Sequence, residues 1–156
     1  MRVGHGFDVH PFSTDPGRRL VLGGVTFEGE QGLAGHSDAD VVTHALAESL
    51  LGAAGLGDLG RHFPDTDAAW AGSDSMELLG EVLRRVARAG FRPANADCTV
   101  VLELPRLAPR REAMEQRLSD ALGAPVSVKA TRAEGLGSLG RGEGIACWAV
   151  TLLERR

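Results

Sequence analysis

The chain has 156 residues, of which 43% are hydrophobic and 24% charged, and its 17 basic and 21 acidic side chains leave a formal net charge of -4. That length predicts a single domain over residues 1–156, and the composition excludes a disordered or fibrous chain. The negative charge removes the global electrostatic case for a nucleic-acid partner, although helix N-termini and glycine-rich loops still bind phosphate locally.

Residues 3–9 alternate, with Val3, His5, Phe7 and Val9 on one side and Gly4, Gly6 and Asp8 on the other, continuing to His10, which predicts a strand. Residues 20–27 hold Gly23 and Gly24 between short apolar runs and predict a hairpin or bent strand. Ser37-Asp38-Ala39-Asp40 has the form of a capping box opening a helix, with Val42, Ala45, Leu46, Ser49 and Leu50 at helical spacing before Gly52, Gly55 and Gly57. A second helix starts near Asp74 with Glu77 in the cap, carries Leu79, Val82, Leu83 and Val86 as its stripe, and stops at Gly90. A strand is expected over residues 98–104. Pro109 suits the first turn of a third helix whose core face is Met114, Leu118, Ala121 and Leu122, ended by Gly123. Residues 126–131 form a short strand and residues 145–153 a longer one.

That last strand is apolar on both faces, Ile145, Cys147, Ala149 and Leu153 against Ala146, Trp148, Val150 and Leu152. One layer of helices covers only one of them, so a partner subunit is expected on the other. The architecture is therefore α/β in the sense of an α+β sandwich, a mixed sheet with helices packed on one face. Met1 and Arg2 lead into Gly4, His5 and Asp8 rather than an apolar leader, and no run is long and apolar enough for a bilayer. Cys98 and Cys147 are far apart without CxxC spacing, as expected of reduced thiols in a cytoplasmic protein.

Asp8 and His10, two apart on a strand, leave the same face as adjacent ligands. His44, on the helix after Ser37, completes a three-ligand zinc set with an open position, and Asp40, one turn earlier, is suited to orient it as an outer acceptor and also to cap the helix, two compatible roles. His36 and Ser37 precede that helix and offer donors to a phosphate. Asp58, in Gly57-Asp58-Leu59-Gly60, and the run Phe63-Pro64-Asp65-Thr66-Asp67 read as turns whose carboxylates suit substrate hydroxyls. Residues 135–140 match GxGxxG, but the following Arg141-Gly142-Glu143-Gly144 leads into a strand, and no Gly-Lys-Ser/Thr follows, so neither a dinucleotide fold nor a P-loop fits. What remains is a glycine-rich loop flanked by Thr131, Arg132, Glu134 and Arg141, with donors for phosphates and a carboxylate for a divalent cation.

Taken in order, Gly4-His5-Gly6-Phe7-Asp8-Val9-His10, Ala34-Gly35-His36-Ser37-Asp38-Ala39-Asp40 with His44, Phe63-Pro64-Asp65-Thr66-Asp67, Lys129-Ala130-Thr131 and Gly140-Arg141-Gly142-Glu143-Gly144-Ile145-Ala146 resemble the cyclodiphosphate synthase family of the non-mevalonate isoprenoid pathway. The resemblance covers nearly the whole chain. It implies a homotrimer, its sheets facing each other and its active sites lying between subunits, with zinc on Asp8, His10 and His44. It implies that His36 and Ser37 meet the substrate phosphates, that Asp58, Leu59, Gly60, Phe63, Pro64, Asp65, Thr66 and Asp67 meet the methylerythritol portion, and that Asp8 and His10 also face the substrate. Leu102, Glu103, Leu104, Pro105, Arg106, Leu107 and Ala108 would frame a cytidine. Thr131, Arg132, Ala133 and Glu134 would meet the diphosphate, Glu134 through magnesium or manganese, with Arg141 nearby; His36, Thr131 and Arg132 are the implied catalytic residues. The family usually carries a further hydroxyl where this chain has Arg132. The residues themselves leave two rivals, a zinc phosphohydrolase and a non-catalytic nucleotide or isoprenoid-diphosphate binding module, and Arg141 with Glu143 leaves room for a side site on a trimer axis.

Overall fold

The computed structural model describes residues 1–64, 66–68 and 72–156. Its elements run β1 (Arg2–Pro11), β2 (Leu20–Leu22), β3 (Val25–Phe27), α1 (Val41–Ala54), α2 (Leu59–His62), α3 (Ser75–Arg88) and β4 (Phe91–Val101), then a 3-10 turn at Ala108–Arg110, α4 (Arg111–Leu122), β5 (Val126–Thr131), α5 (Gly137–Gly140) and β6 (Gly144–Arg155). Four strands form a mixed sheet in the order β1-β6-β4-β5, antiparallel except for the parallel β4–β5 pair. α1 lies across β1, β6 and β4, α3 lies against α1 and β4, and α4 lies against β5. The fold is thus the mixed α/β arrangement of helices on a sheet expected from the sequence. Among the described residues no helix is long and apolar enough to cross a membrane.

The contact between α1 and β1 is unusually close. A Cβ at Gly4 would stand 1.9 Å from the Ser49 carbonyl oxygen, and one at Gly6 2.0 Å from that of Ala45. The helix backbone therefore rests directly on the strand, a fit that only glycine allows. The opposite side of β1 is apolar and exposed: Val3 is 70% accessible and Val9 47%. Phe7 meets Trp148 of β6 with ring centroids 4.8 Å apart, and Val150 beyond it is exposed as well. On β6 the other face, Ile145, Cys147, Ala149 and Leu153, is buried in the core. The single polar residue of that row, Thr151, meets Ser49 of α1, which also donates to the Leu46 carbonyl at 2.7 Å.

Gly23 and Gly24, both at positive φ, form the two-residue turn joining β2 to β3, a geometry that suits the strand twist. The turn is held by Asp40. This carboxylate is fully buried and accepts five hydrogen bonds, from the amides of Gly23 (2.8 Å), Gly24 (2.7 Å), Val42 (3.1 Å) and Thr43 (3.0 Å) and from the Thr43 hydroxyl (2.7 Å). Burial pushes its carboxyl above the usual range, against the hydrogen bonds of Thr43 and Gly24, which favour the charged form.

Some expectations need correction. The cap of α1 is Asp40, not Ser37, because Asp40 alone reaches the first free amides of the helix. The strand expected over 98–104 spans Phe91–Val101: Pro93 is tolerated at a register shift between Pro93 and Asn95, and the chain leaves the sheet at Leu102. Ala121 is exposed, since Met114, Leu118 and Leu122 alone fill the buried stripe of α4. The one-turn helices α2 and α5 stand where only turns and loop were read. The GxGxxG run itself ends in the single turn α5, and β6 begins at Gly144 with no longer helix between, which keeps it from being a dinucleotide fingerprint.

Gly6→Ala should therefore destabilise the fold by more than about 2 kcal/mol through overpacking. Gly52→Ala, whose Cβ would lie 3.7 Å from the His5 carbonyl oxygen in ordinary contact, should be neutral or stabilising by up to about 1 kcal/mol through helix propensity. Denaturant titration of the two variants checks both signs.

Candidate metal centre and substrate clefts

Asp8, His10 and His44 meet at one point, and among the described residues they form a set whose ligand atoms all lie within 4.8 Å of one another. Asp8 and His10 come from adjacent same-face positions of β1, His44 from the first turn of α1. Asp8 Oδ2 lies 3.0 Å from His10 Nε2 and 3.2 Å from His44 Nδ1. A tetrahedral site with ligands about 2.0–2.1 Å from the ion spaces its donor atoms roughly 3.3 Å apart, so the set fits a divalent ion with little movement.

The electrostatics agree. Burial opposes ionisation of Asp8, but the hydrogen bonds and charges of His10 and His44 outweigh it and hold its carboxyl below the usual range. The hydrogen bond to Asp8 raises the His10 imidazole above its ordinary value, despite desolvation. His10 Nδ1 donates to the Ala34 carbonyl at 2.8 Å, leaving Nε2 to face the centre. This is the outer support that metal-binding imidazoles use.

For His44 the structure overturns the outer acceptor read from sequence. Asp40 is spent on the hairpin and the helix cap, and touches His44 only through the backbone bond of the first turn. The far nitrogen of His44, Nε2, lies 2.8 Å from Ser75 Oγ and 3.3 Å from Ser37 Oγ. Ser75 is in turn hydrogen-bonded to Asp38. No spacing rule links Ser75 to a histidine 31 residues earlier, and Asp38 was legible only as part of a cap.

A cleft of about 300 Å³ opens beside the triad, lined by His10, His36, Ser37, His44, Leu59, Gly60, Phe63, Pro64 and Asp67, with Ser73 and Leu78 closing it. Two residues that sequence reasoning missed shape it. Arg18 donates to the carbonyls of Leu33 (3.0 Å) and Ser37 (2.9 Å), holding the segment that carries His36. Glu48, one turn beyond His44, accepts the Leu59 amide at 3.1 Å and so anchors the start of α2; burial raises its carboxyl above the ordinary value. Asp58 caps α2 by accepting from the Arg61 amide at 2.8 Å. Thr66 is exposed, and Asp65 lies outside the described residues.

The remaining candidates gather elsewhere. Leu102, Glu103, Pro105, Arg106, Leu107, Ala108, Thr131 and Arg132 line a second cleft of about 290 Å³ that shares no residue with the first. Leu104 and Arg141 line a third hollow that also touches Glu103, Pro105 and Arg132. Arg132 faces Glu103 at 3.7 Å, and the Ala133 amide donates to the same carboxylate at 3.0 Å. Glu134, at φ 53°, is exposed and stands outside the triad. Arg141 pairs with Glu143 at 2.8 Å. Within one subunit the structure thus joins His36 to the triad but leaves Thr131 and Arg132 in a different cleft.

The model of the YgbB family matches residues 1–154. A 2-C-methyl-D-erythritol 2,4-cyclodiphosphate synthase of Moorella thermoacetica is 58% identical over 156 residues, covering 98% of this chain and 94% of that protein. A bifunctional enzyme IspD/IspF of an Anaeromyxobacter species is also 58% identical, over 99% of this chain, which spans 40% of its length. Among solved structures, the CDP complex of IspF from Plasmodium falciparum superposes with a TM-score of 0.85 at 29% identity, over 99% of this chain and 96% of that one.

Two substitutions separate ligand from scaffold. His44→Ala should leave the chain folded and strip bound divalent metal, read by metal analysis of the purified protein. Asp40→Ala should cost at least about 2 kcal/mol of stability by leaving buried amides without an acceptor, while the folded fraction keeps its metal.

Proposed function

Because the chain belongs to the YgbB family, we propose that it converts 4-diphosphocytidyl-2-C-methyl-D-erythritol 2-phosphate to 2-C-methyl-D-erythritol 2,4-cyclodiphosphate and CMP, as a phosphorus–oxygen lyase of the non-mevalonate isoprenoid pathway. The observation that carries this is the convergence of Asp8, His10 and His44 beside a cleft lined by His36, Ser37, Leu59, Gly60, Phe63, Pro64 and Asp67, in a chain whose residues 1–154 match the family.

In this reaction an oxygen of the substrate's own 2-phosphate attacks the β-phosphorus, and the bond to the CMP phosphate breaks with its electron pair leaving on CMP. The protein therefore needs no nucleophile of its own. Its task is to hold two anionic groups against their repulsion and to exclude water. His36 and Ser37 would donate to phosphate oxygens, and Arg18 keeps their backbone in place. Leu59, Gly60, Phe63 and Asp67 would enclose the methylerythritol carbons and hydroxyls, with Asp58 and Thr66 close by in sequence. Leu102, Pro105 and Leu107 are buried apolar residues suited to one side of a cytosine ring, beside Arg106 and Ala108. The Thr131 hydroxyl and Arg132 would donate to the diphosphate, the guanidinium taking the place of the family's hydroxyl while Glu103 steadies it.

We assign zinc to the triad, where it would supply Lewis-acid polarisation of a phosphate oxygen when bound. A single carboxylate such as Glu134 suits magnesium or manganese, whose other ligands come from phosphate and water. Since His36 and Thr131 lie in separate clefts of one chain, the complete site needs a neighbour's second cleft beside the first. The exposed row of Val3, Phe7, Val9, Trp148 and Val150 supports a homotrimer that buries it. A cytoplasmic location accords with the two buried free thiols, Cys98 and Cys147.

Run in isotopically labelled water, the reaction should give cyclic diphosphate and CMP without solvent oxygen, and an analogue lacking the 2-phosphate should bind but turn over poorly. Solvent oxygen in a linear phosphate product would make the chain a metal-dependent hydrolase. Trp148→Glu should shift sedimentation from trimer towards monomer; a wild-type chain that is monomeric at micromolar concentration would defeat the shared site.

A further inference from the structure

We propose that Ser75 and Asp38 form a positioning pair for the metal centre, fixing His44 in the tautomer that turns its Nδ1 lone pair to the ion and thereby tightening metal binding without contact to the metal. The inference rests on the metal-site reading of Asp8, His10 and His44.

The polarity of the chain of hydrogen bonds carries it. His44 points Nδ1 at Asp8 Oδ2 (3.2 Å) and Nε2 at Ser75 Oγ (2.8 Å). Ser75 Oγ also meets Asp38 Oδ1, and the Ser75 amide donates to Asp38 Oδ2 at 3.0 Å. A hydroxyl has one proton, and an ionised carboxylate only accepts. The Ser75 proton therefore goes to Asp38, and Ser75 Oγ is left to accept from Nε2–H of His44. A neutral imidazole protonated at Nε2 has its free lone pair on Nδ1, the nitrogen that faces the triad. Ser37 Oγ, at 3.3 Å, is a longer partner for the same nitrogen and also accepts the Ala39 amide.

The two histidines are thus oriented by different means. His10 leans on a main-chain carbonyl, which no substitution at Ala34 removes. His44 leans on two side chains brought from separate elements, Asp38 from the segment before α1 and Ser75, fully buried, from the first residue of α3. Such outer partners typically change metal affinity by about 10–100-fold. Ser75 also sits between Ser73 and Leu78, both of which line the triad cleft, so the same hydroxyl joins the metal centre to the start of α3.

The test is zinc affinity measured by chelator competition on wild type and Ser75→Ala, with circular dichroism to verify the fold. Alanine is well tolerated in the first turn of a helix, so the variant isolates the hydroxyl. The dissociation constant should rise about 10–100-fold. Equal affinity in the folded variant overturns the pair and leaves the metal site standing; a wild-type chain that takes up no divalent ion overturns both. Ring-nitrogen NMR of the zinc-loaded wild type supplies an independent readout should the variant fail to fold: a proton on His44 Nε2 supports the pair, and a proton on Nδ1 refutes it.

Discussion

The meeting of Asp8, His10 and His44 depends on two glycines that let a helix lie on a strand with no side chain between them. Gly4 faces Ser49 and Ala53, and Gly6 faces Ala45 and Ser49. Each two-residue step along β1, about 6.6 Å, thus moves roughly one turn, 5.4 Å, back along α1. Extending that match by one step sets Asp8 opposite the first turn of the helix, where His44 stands. Larger residues at positions 4 and 6 would push the helix outward by the thickness of a side chain, and the imidazole would no longer reach the carboxylate. The Asp8–His10–His44 triad is therefore a product of backbone packing as much as of its side chains.

Asp40 fixes the remaining degree of freedom, the position of α1 along its own axis. By collecting amides from the Gly23-Gly24 turn and from the first turn of the helix, one buried carboxylate locks the small hairpin to the start of α1. A charge is tolerated there because five donors replace the water it loses. The helix can then neither slide nor unwind at the end that carries His44.

Much of this was legible in the sequence. The strand of Asp8 and His10, the helix of His44 and the last strand with its two apolar faces follow from periodicity, and the three candidate ligands follow from spacing plus one long-range guess. What escaped has a common physical cause. Local spacing permits Asp40 as helix cap, as the structure has it, and equally as an orienting acceptor for His44; only the fold shows that the hairpin claims its remaining capacity. Ser75, Glu48 and Arg18 act through contacts across 31, 11 and 15–19 residues respectively, which no local pattern encodes. The first half of β4 was hidden because Pro93 and polar Asn95 and Asp97 dilute a strand signal that a register shift and an edge contact make acceptable. Arg132, the visible departure from the family pattern, turns out to have a counter-charge in Glu103, a pairing that sequence alone gave no reason to draw.

The sharing of one oxygen, Asp8 Oδ2, between both imidazoles has a consequence for how the protein matures. Many small metal sites hold like charges or unpaired donors apart, and collapse when emptied, so that metal uptake and folding become one event. Here the ligands attract each other, and each imidazole is braced from behind by a group outside the triad: the Ala34 carbonyl for His10, Ser75 for His44. Shaping the cradle and binding an ion are thereby separable steps, since the groups that aim the two imidazoles come from the fold of the chain rather than from a metal bond.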